Sequence, residues 1–358
     1  MAPRTPAVAD QAFVTLLTND SYATGALVLA HSLHRVHTTR SLAVLVTSDV
    51  SQERREQLSA VFNLVQEVPR LDSEDAENLR LLNRPELGVT FTKINAWTLI
   101  QFNKCVFLDA DTLVVRNVDD LFDRPELSAA PDVGWPDCFN SGVFVFKPDR
   151  STYRALLEHA KKLGSFDGGD QGLLNSFWSN WACSDPSHRL PFVYNLTVST
   201  SYSYAPALKR FGSDVRIIHF IGSIKPWHHS YSTAADQVIL CPGTATTQEP
   251  VRKFLNIWWN IYITEIPSPY LVLTPPTPPL SPPYVSSGPY PDPSEPLPEA
   301  ESEAWRASWE QGQIDYMGRD SFDRIQQHID SLINSTETTA STETTDAPSI
   351  TDEAETSA

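Results

Sequence analysis

The chain has 358 residues, a hydrophobic fraction of 41% and a formal net charge of −17. It is therefore long enough for one or two domains with a sizeable core. Residues 265–358 hold 17 Asp and Glu but only three Arg, which leaves residues 1–264 with a charge of −3. The acidity thus belongs to the C-terminal part, and nucleic-acid binding is not expected. No stretch reaches the roughly 20 apolar residues that cross a bilayer, so we expect no membrane span.

The N-terminus and the cysteines indicate a cytoplasmic protein. No apolar run that would form a signal peptide precedes the first strand-like segment. The four cysteines are widely spaced, without the pairing typical of zinc sites, as expected for a reducing compartment. In that compartment the sequons at Asn195 and Asn334 would not be glycosylated. The cysteines are Cys105, Cys138, Cys183 and Cys241.

Strand-like and helix-like segments alternate through the first hundred residues. The predicted strands are residues 13–18, 42–47, 63–68 and 105–108, and the predicted helices are residues 22–35, 52–61 and 93–102. This alternation is typical of an α/β domain with a largely parallel sheet. Ligands of such sheets bind beyond the carboxyl ends of the strands. Residues 18–22 and 109–111 are therefore expected to border one crevice.

Two carboxylates follow the last of these strands. Asp109 and Asp111 can point to the same side of the chain, and their oxygens suit Mg²⁺ or Mn²⁺, with diphosphate oxygens completing the shell. His219, after the strand-like residues 215–218, would favour Mn²⁺ as a third ligand. Lys225, in a turn, could neutralise charge on a diphosphate. Each residue could instead be structural, as an acidic turn, a packed histidine or a solvated lysine.

Two further polar stretches lead into predicted elements. Residues 137–142 precede the predicted strand at 143–146, and Asn140 could bind a sugar hydroxyl or close a turn. Residues 167–172 join a glycine turn to a predicted helix, where Asp170 could be an N-cap. Tyrosines are dense around residues 192–204. A tyrosine hydroxyl can act as an acceptor nucleophile, although most tyrosines only pack.

The composition changes after residue 265. Residues 266–299 contain 13 of the 28 prolines, which predicts an extended linker over residues 265–300. Residues 335–358 contain no Lys or Arg and are predicted to be a disordered tail. Between them, apolar residues at helical spacing predict a helix within residues 301–334. It is too short to form a core alone, so it either folds back on its domain or docks on another protein.

Several stretches, found in one order, resemble the glycogenin family, which are retaining nucleotide-sugar transferases of glycosyltransferase family 8 with a GT-A fold. The resemblance implies a Rossmann-like GT-A domain at residues 1–264 with a mixed, mostly parallel sheet, followed by the linker and the short helix. It also implies that the helix binds glycogen synthase. The stretches are residues 13–22, 107–112, 135–145, 164–175, 219–227 and 309–318.

The resemblance further assigns roles to single residues. It implies retaining transfer of glucose from UDP-glucose to Tyr202 and then to a growing α-1,4-glucan. Asp109, Asp111 and His219 would bind Mn²⁺. Lys93, Asp170 and the acceptor Tyr202 would be the catalytic residues. The residues expected to bind UDP-glucose are Leu16, Thr18, Asn19, Tyr22, Lys93, Asp109, Ala110, Asp111, Asn140, Ser141, Asp167, Asp170, Gln171, His219, Gly222 and Lys225.

Some alternatives stay open at this point. Asp170 could form a covalent glucosyl intermediate, or it could orient the glucose while the leaving phosphate assists attack on the same face. Ser201 departs from the aliphatic residue that usually precedes the family's acceptor tyrosine. The family suggests a homodimer, which would let one subunit modify the other. The rival functions are a family 8 hexosyltransferase with a separate acceptor and a catalytically idle scaffold for glycogen synthase.

Overall fold

The computed structural model describes residues 6–82, 84–198, 205–241 and 249–266. Within these ranges the chain forms an α/β domain. Its strands are β1 Val8–Leu17, β2 Arg40–Val46, β3 Leu64–Glu67, β4 Lys104–Leu108, β5 Thr112–Val114, β6 Ser128–Pro131, β7 Phe139–Phe146, β8 Leu196–Val198, β9 Ile217–Phe220, β10 Ser230–Ser232 and β11 Gln237–Ile239. Its α-helices are α1 Ala23–Arg35, α2 Gln52–Ser59, α3 Ala76–Leu81, α4 Arg150–Leu163, α5 Asp170–Phe177, α6 Ala205–Phe211 and α7 Glu249–Glu265.

The main sheet has six strands in the order β3-β2-β1-β4-β7-β6. The pairs β3–β2, β2–β1 and β1–β4 are parallel, whereas β7 runs antiparallel to both β4 and β6. The predicted mixed, mostly parallel sheet is therefore confirmed. A smaller sheet, in the order β5-β9-β8, begins directly after β4 and places β5 antiparallel to β9. The carboxyl end of β4 is thus the point where the two sheets meet.

Side chains of the central strand β1 alternate between two hydrophobic clusters, as the twofold period of a strand requires. Phe13 and Leu17 belong to the cluster that also contains the buried residues of α1 and α7. Ala12 and Val14 belong to the other cluster, which is formed with the segment at residues 91–102, α4 and α5. The sheet is therefore covered on both faces, and its ligand-binding positions are left at the strand ends.

The predicted helix at residues 93–102 is wrong in type. The chain forms 3₁₀ turns over Pro85–Thr98 instead. The Oγ1 of Thr98 donates to the carbonyl of Asn95, and the Asn95 amide donates to the carbonyls of Thr92 and Pro69. Such side-chain bonds to the backbone compete with the α-helical ladder. The turns still bury Lys93, which is only 3% exposed.

Helix α7 packs against the residues that follow β9. The indole Nε1 of Trp259 donates to the carbonyl of Pro226 at 3.1 Å, and Trp258 packs on Trp227. At the other end of α7, the Arg35 guanidinium of α1 binds the carboxylate of Glu265 at 3.0 Å. The helix runs through Glu265 and Ile266 is buried, so the first two residues of the predicted linker belong to the domain.

The rest of the predicted linker, the helix at residues 301–334 and the tail at residues 335–358 lie outside the described residues. So does Tyr202. Among the helices of the described ranges, none combines the length and the apolar character that a bilayer crossing needs.

Candidate active site

A tight turn after β4 presents two carboxylates to the junction of the sheets. The backbone N–H of Asp109 donates to the carbonyl of Gly142 at 2.9 Å, and the N–H of Thr112 closes the turn on the Asp109 carbonyl at 3.0 Å. In the β5–β9 pair, Thr112 lies opposite His219. The sequence predicted that His219 follows a strand, but it lies inside β9. This register brings the histidine next to the turn.

Asp109, Asp111 and His219 form a site that can bind a divalent metal. Each offers one ligand atom, and these atoms all lie within 4.8 Å of one another. The Nε2 of His219 is 3.3 Å from Oδ1 of Asp111 and 3.8 Å from Oδ2 of Asp109. Two hard oxygens with one imidazole are a donor set that suits a divalent transition ion. The predicted ligand residues are thus brought together as expected.

Lys93 lies between two carboxylates. Its Nζ is 3.0 Å from Oδ1 of Asp109 and 2.6 Å from Oδ2 of Asp170, and it also donates to the carbonyl of Ser141 at 3.2 Å. Burial alone would lower the pKa of Lys93, but attraction to Asp109 and Asp170 outweighs it and holds this pKa above its ordinary value. Lys93 is therefore a permanent cation that joins the metal-binding turn to α5.

Lys225 is the second lysine that binds a carboxylate of the turn. Its Nζ donates to Oδ2 of Asp111 and to the carbonyl of Phe220. Burial would raise the pKa of Asp111, but Lys225 and His219 hold it far below its usual range. Three carboxylates and two lysines leave the cluster with one excess negative charge. This balance is suited to a cation and a diphosphate that bind together.

Side chains with hydrogen-bonding capacity for a sugar lie next to the metal-binding turn. The Asp132 carboxylate accepts from the Asn140 amide at 2.9 Å and from the Gln171 amide at 3.2 Å. Oε1 of Gln171 in turn accepts from the N–H of Ser141. Asp170 is the first residue of α5, and the N-cap is Gly169. The alternative that Asp170 is a helix cap is therefore wrong, because its carboxylate binds Lys93 instead.

Asp167 supports the loop that precedes α5. Its Oδ1 accepts from the Ser165 hydroxyl and from the N–H of Gly169, both at 2.8 Å. Burial is the main cause that raises the pKa of this carboxyl. Gly168 has a φ of 78°, which favours glycine. A contact of Asp167 with substrate stays a prediction.

The predicted nucleotide-binding residues line the end of β1. Oδ1 of Asn19 accepts from the N–H of Ser21 at 2.9 Å and so begins the turn at Asp20–Tyr22. Tyr22 packs edge-to-face on Trp227 at 5.2 Å. Its pKa is raised, mainly by burial and next by the charge of Asp111. Because Trp227 follows Lys225 by two residues and Lys225 binds Asp111, the ring contact places Tyr22 near this part of the site.

The remaining predicted residues are placed around this end of the sheet. Leu16 and Thr18 are partly buried on and after β1, and Ala110 lies within the acidic turn. Gly222 has a φ of 92°, and no described atom beyond its chain neighbours lies within 4 Å of the position that a Cβ would occupy. Thr18, Asn19 and Gly222 make no hydrogen bond to the metal-binding cluster among the described residues, so their contacts with a ligand stay predictions.

Two residues of this region were missed from the sequence. They are Asp132, which binds Asn140 and Gln171, and Asn195, which contacts His219. No motif distinguishes them. Only the position of Asp132 just after β6, at an end of the sheet, could have signalled its role.

The sheet order, with an Asp-x-Asp turn after β4 and His219 of β9 beside that turn, fits an α/β glycosyltransferase of the GT-A type. The family model "Glycosyl transferase family 8" matches residues 13–230. Mouse Glycogenin-1 is 49% identical over 336 residues, which cover 90% of this chain and 99% of that one. Human Glycogenin-2 is 56% identical over 255 residues, 71% of this chain and 51% of that one. The solved structure of the galactosyltransferase LgtC is 18% identical, with a TM-score of 0.48 over 72% of this chain and 98% of that one.

The chain belongs to glycosyl transferase family 8 and, within it, to the glycogenins. It is a glycogenin-like glucosyltransferase, as the sequence predicted. The rival functions, a family 8 transferase for a separate acceptor and an idle scaffold, are not favoured.

Proposed function

We propose that this protein uses Mn²⁺ to transfer glucose from UDP-glucose, with retention of configuration, first to its own Tyr202 and then to the growing α-1,4-glucan. One observation carries the proposal: a metal-binding triad lies between two buried lysines. Asp109, Asp111 and His219 supply the triad, and Lys93 and Lys225 border it. Relatives named glycogenin over 90% of the chain support the choice of glucose and of a glucan product.

Asp109, Asp111 and His219 would hold the Mn²⁺. When bound, the ion supplies positive charge that stabilises the diphosphate leaving group. The imidazole beside two carboxylates favours Mn²⁺ over Mg²⁺. Because Lys225 binds Asp111 and is only 4% exposed, its ammonium is held beside the acidic turn. It would add a second fixed positive charge next to the diphosphate.

The glucose would bind on the side of α5. The Asn140 and Gln171 amides, which both meet Asp132, offer donors and acceptors for its hydroxyls. Lys93 fixes the Asp170 carboxylate in position through its ion pair. The 2.6 Å ion pair occupies one carboxylate oxygen of Asp170, which favours an orienting role for Asp170 over that of a covalent nucleophile. As the bond between glucose C1 and the phosphate oxygen breaks, the acceptor hydroxyl would attack C1 from the same face and pass its proton to the leaving phosphate.

We also propose a cytoplasmic homodimer that binds glycogen synthase through residues 301–334. The alignment with mouse Glycogenin-1 spans 336 residues, so it extends past α7 into the C-terminal part. Binding of glycogen synthase to wild-type protein, and its loss when residues 301–334 are deleted, is the expected result of a co-purification assay. Unchanged binding would contradict this part of the proposal.

The self-glucosylation is tested by intact-mass analysis after incubation with UDP-glucose and Mn²⁺. Wild-type protein should gain mass in steps of one hexose, and Tyr202→Phe should gain none. Tyr204→Phe is the matched control, because it removes a hydroxyl two residues away and should keep the hexose steps. A normal hexose series on Tyr202→Phe would move the acceptor elsewhere.

The metal role is tested with Asp109→Asn and Asp111→Asn. Each variant should fold, bind Mn²⁺ weakly and lose glucose transfer. Full transfer by either variant in the presence of a chelator would contradict the assignment of the metal ligands.

A further inference from the structure

Asn195 is fully buried between the metal-binding histidine and the proposed sugar pocket. Its exposed fraction is 0%, so its sequon is inaccessible in the folded domain. Its Oδ1 lies 3.1 Å from Nδ1 of His219, and its Nδ2 donates to Oδ1 of Asn140 at 2.8 Å. Asn140 donates in turn to Oδ2 of Asp132 at 2.9 Å. A continuous chain of hydrogen bonds thus links a carboxylate of the sugar pocket to the metal site.

The carboxylate of Asp132 fixes which groups donate and which accept in this series of hydrogen bonds. An ionised carboxylate only accepts, so Asn140 must face Asp132 with its amide Nδ2. The Oδ1 of Asn140 then points the other way, where the N–H of Gly142 also donates to it at 3.0 Å. Asn195 must meet this oxygen with its own Nδ2, which turns its Oδ1 toward His219.

The same order decides which nitrogen of His219 carries the proton. Because Oδ1 of Asn195 only accepts, Nδ1 of His219 must donate. In a neutral imidazole Nε2 is then the bare nitrogen, and it faces Asp111 and Asp109 at 3.3 and 3.8 Å. A metal-binding histidine needs this tautomer, which the hydrogen bond of its other nitrogen sets.

We propose that Asn195 is a positioning residue that fixes the tautomer and ring plane of His219 and ties them to Asn140 and Asp132. Metal affinity and donor-sugar binding are then connected through one side chain. This proposal rests on the proposed metal and sugar sites. Asn195 immediately precedes β8, which pairs with β9, so the carboxamide is held by the same small sheet that carries His219.

Two substitutions distinguish the roles of the two hydrogen bonds that the Asn195 carboxamide makes. Asn195→Leu removes both hydrogen bonds. Asn195→Asp keeps an oxygen for the Nδ1–H of His219 but places a second oxygen against Oδ1 of Asn140. Asn140 cannot invert its amide in response, because it would lose the bonds to Gly142 and Asp132.

Mn²⁺ affinity in the presence of UDP, measured from the free-ion electron paramagnetic resonance signal, is the first readout. Asn195→Leu should weaken Mn²⁺ binding about 10- to 100-fold. Asn195→Asp should stay within about threefold of wild type for Mn²⁺, while its KM for UDP-glucose rises about fivefold through the lost anchor of Asn140. The matched control is Asn95→Leu. Asn95 is also buried and hydrogen-bonded, but it takes no part in the hydrogen bonds that link Asp132 to His219. It should destabilise the domain without weakening Mn²⁺ binding.

The second readout is the tautomer of His219 in the metal-free protein, from long-range ¹H–¹⁵N correlation spectra of the histidine rings. Wild type and Asn195→Asp should show the proton on Nδ1, and Asn195→Leu should lose this preference. A folded Asn195→Leu protein with wild-type Mn²⁺ affinity overturns the proposal. If that variant does not fold, an unchanged KM for UDP-glucose in Asn195→Asp overturns it equally. Failure of wild type to bind Mn²⁺ or transfer glucose would instead refute the proposed function, while the tautomer spectra would still test the hydrogen-bond chain.

Discussion

Removing the charge of Lys93 should destabilise the metal-free domain strongly. In Lys93→Met, the carboxylates of Asp109 and Asp170 would face each other without the ammonium that now lies 3.0 and 2.6 Å from them. Breaking a buried ion pair by removing one partner costs about 3–5 kcal/mol. The side chain of Asp109 is 30% exposed, so water screens part of the repulsion. We therefore expect a loss of about 3 kcal/mol in the free energy of unfolding.

Urea denaturation with a chelator present measures this loss. Lys147→Met is the matched control, because Lys147 is exposed and should change stability by less than about 0.5 kcal/mol. Adding Asp170→Asn to Lys93→Met removes one of the two orphaned charges and should recover part of the stability. A Lys93→Met protein within about 1 kcal/mol of wild type would show that Lys93 is not the counter-charge of these carboxylates.

Three further outcomes are expected. A Cβ on Gly142 would lie 2.2 Å from Cε1 of His219, so Gly142→Ala should displace the imidazole ring. A Mn²⁺ titration should then show binding weakened at least about tenfold. Unchanged affinity would show that the ring has room to move. Burial, and next the charge of His228, lower the pKa of His229 to about 4. The unfolded chain therefore binds the proton first as pH falls below about 6.5, and about 2 kcal/mol of stability should be lost between pH 6.5 and 5. The free energy of unfolding of His229→Gln, measured by denaturation at both pH values, should fall by about 2 kcal/mol less than that of wild type. Trp97 is fully buried, and Trp97→Ala should lower the free energy of unfolding by about 3–5 kcal/mol in urea denaturation, whereas a loss below 1 kcal/mol would contradict its place in the core.

The main sheet and the acidic turn could be predicted because their signals are local. Apolar runs at residues 13–18, 42–47 and 105–108 became β1, β2 and β4, although β1 begins five residues before the predicted strand. Asp109 and Asp111 stand directly after one of these runs, at the sheet end where ligands of such folds bind. Periodicity and position were therefore sufficient for this part of the site.

The partners of these residues could not be predicted from the residues alone, because they are set by tertiary contacts. Lys93 meets Asp170 from a stretch of 3₁₀ turns that was predicted to be α-helical. Asp132 gains its role only because the antiparallel β6–β7 pair brings it beside Asn140. The resemblance to a known family supplied most of the roles that periodicity could not.

The packing of α7 has a consequence for where this enzyme can be cut. The helix supports the backbone of Pro226 through Trp259 and packs on Trp227 through Trp258, and these two residues directly follow Lys225. A protease cut within Glu249–Glu265 would therefore displace Lys225, the lysine proposed to meet the diphosphate, although no residue of α7 is among the predicted site residues. The smallest fragment that keeps activity should end after Ile266, and limited digestion that leaves α7 whole should spare glucose transfer.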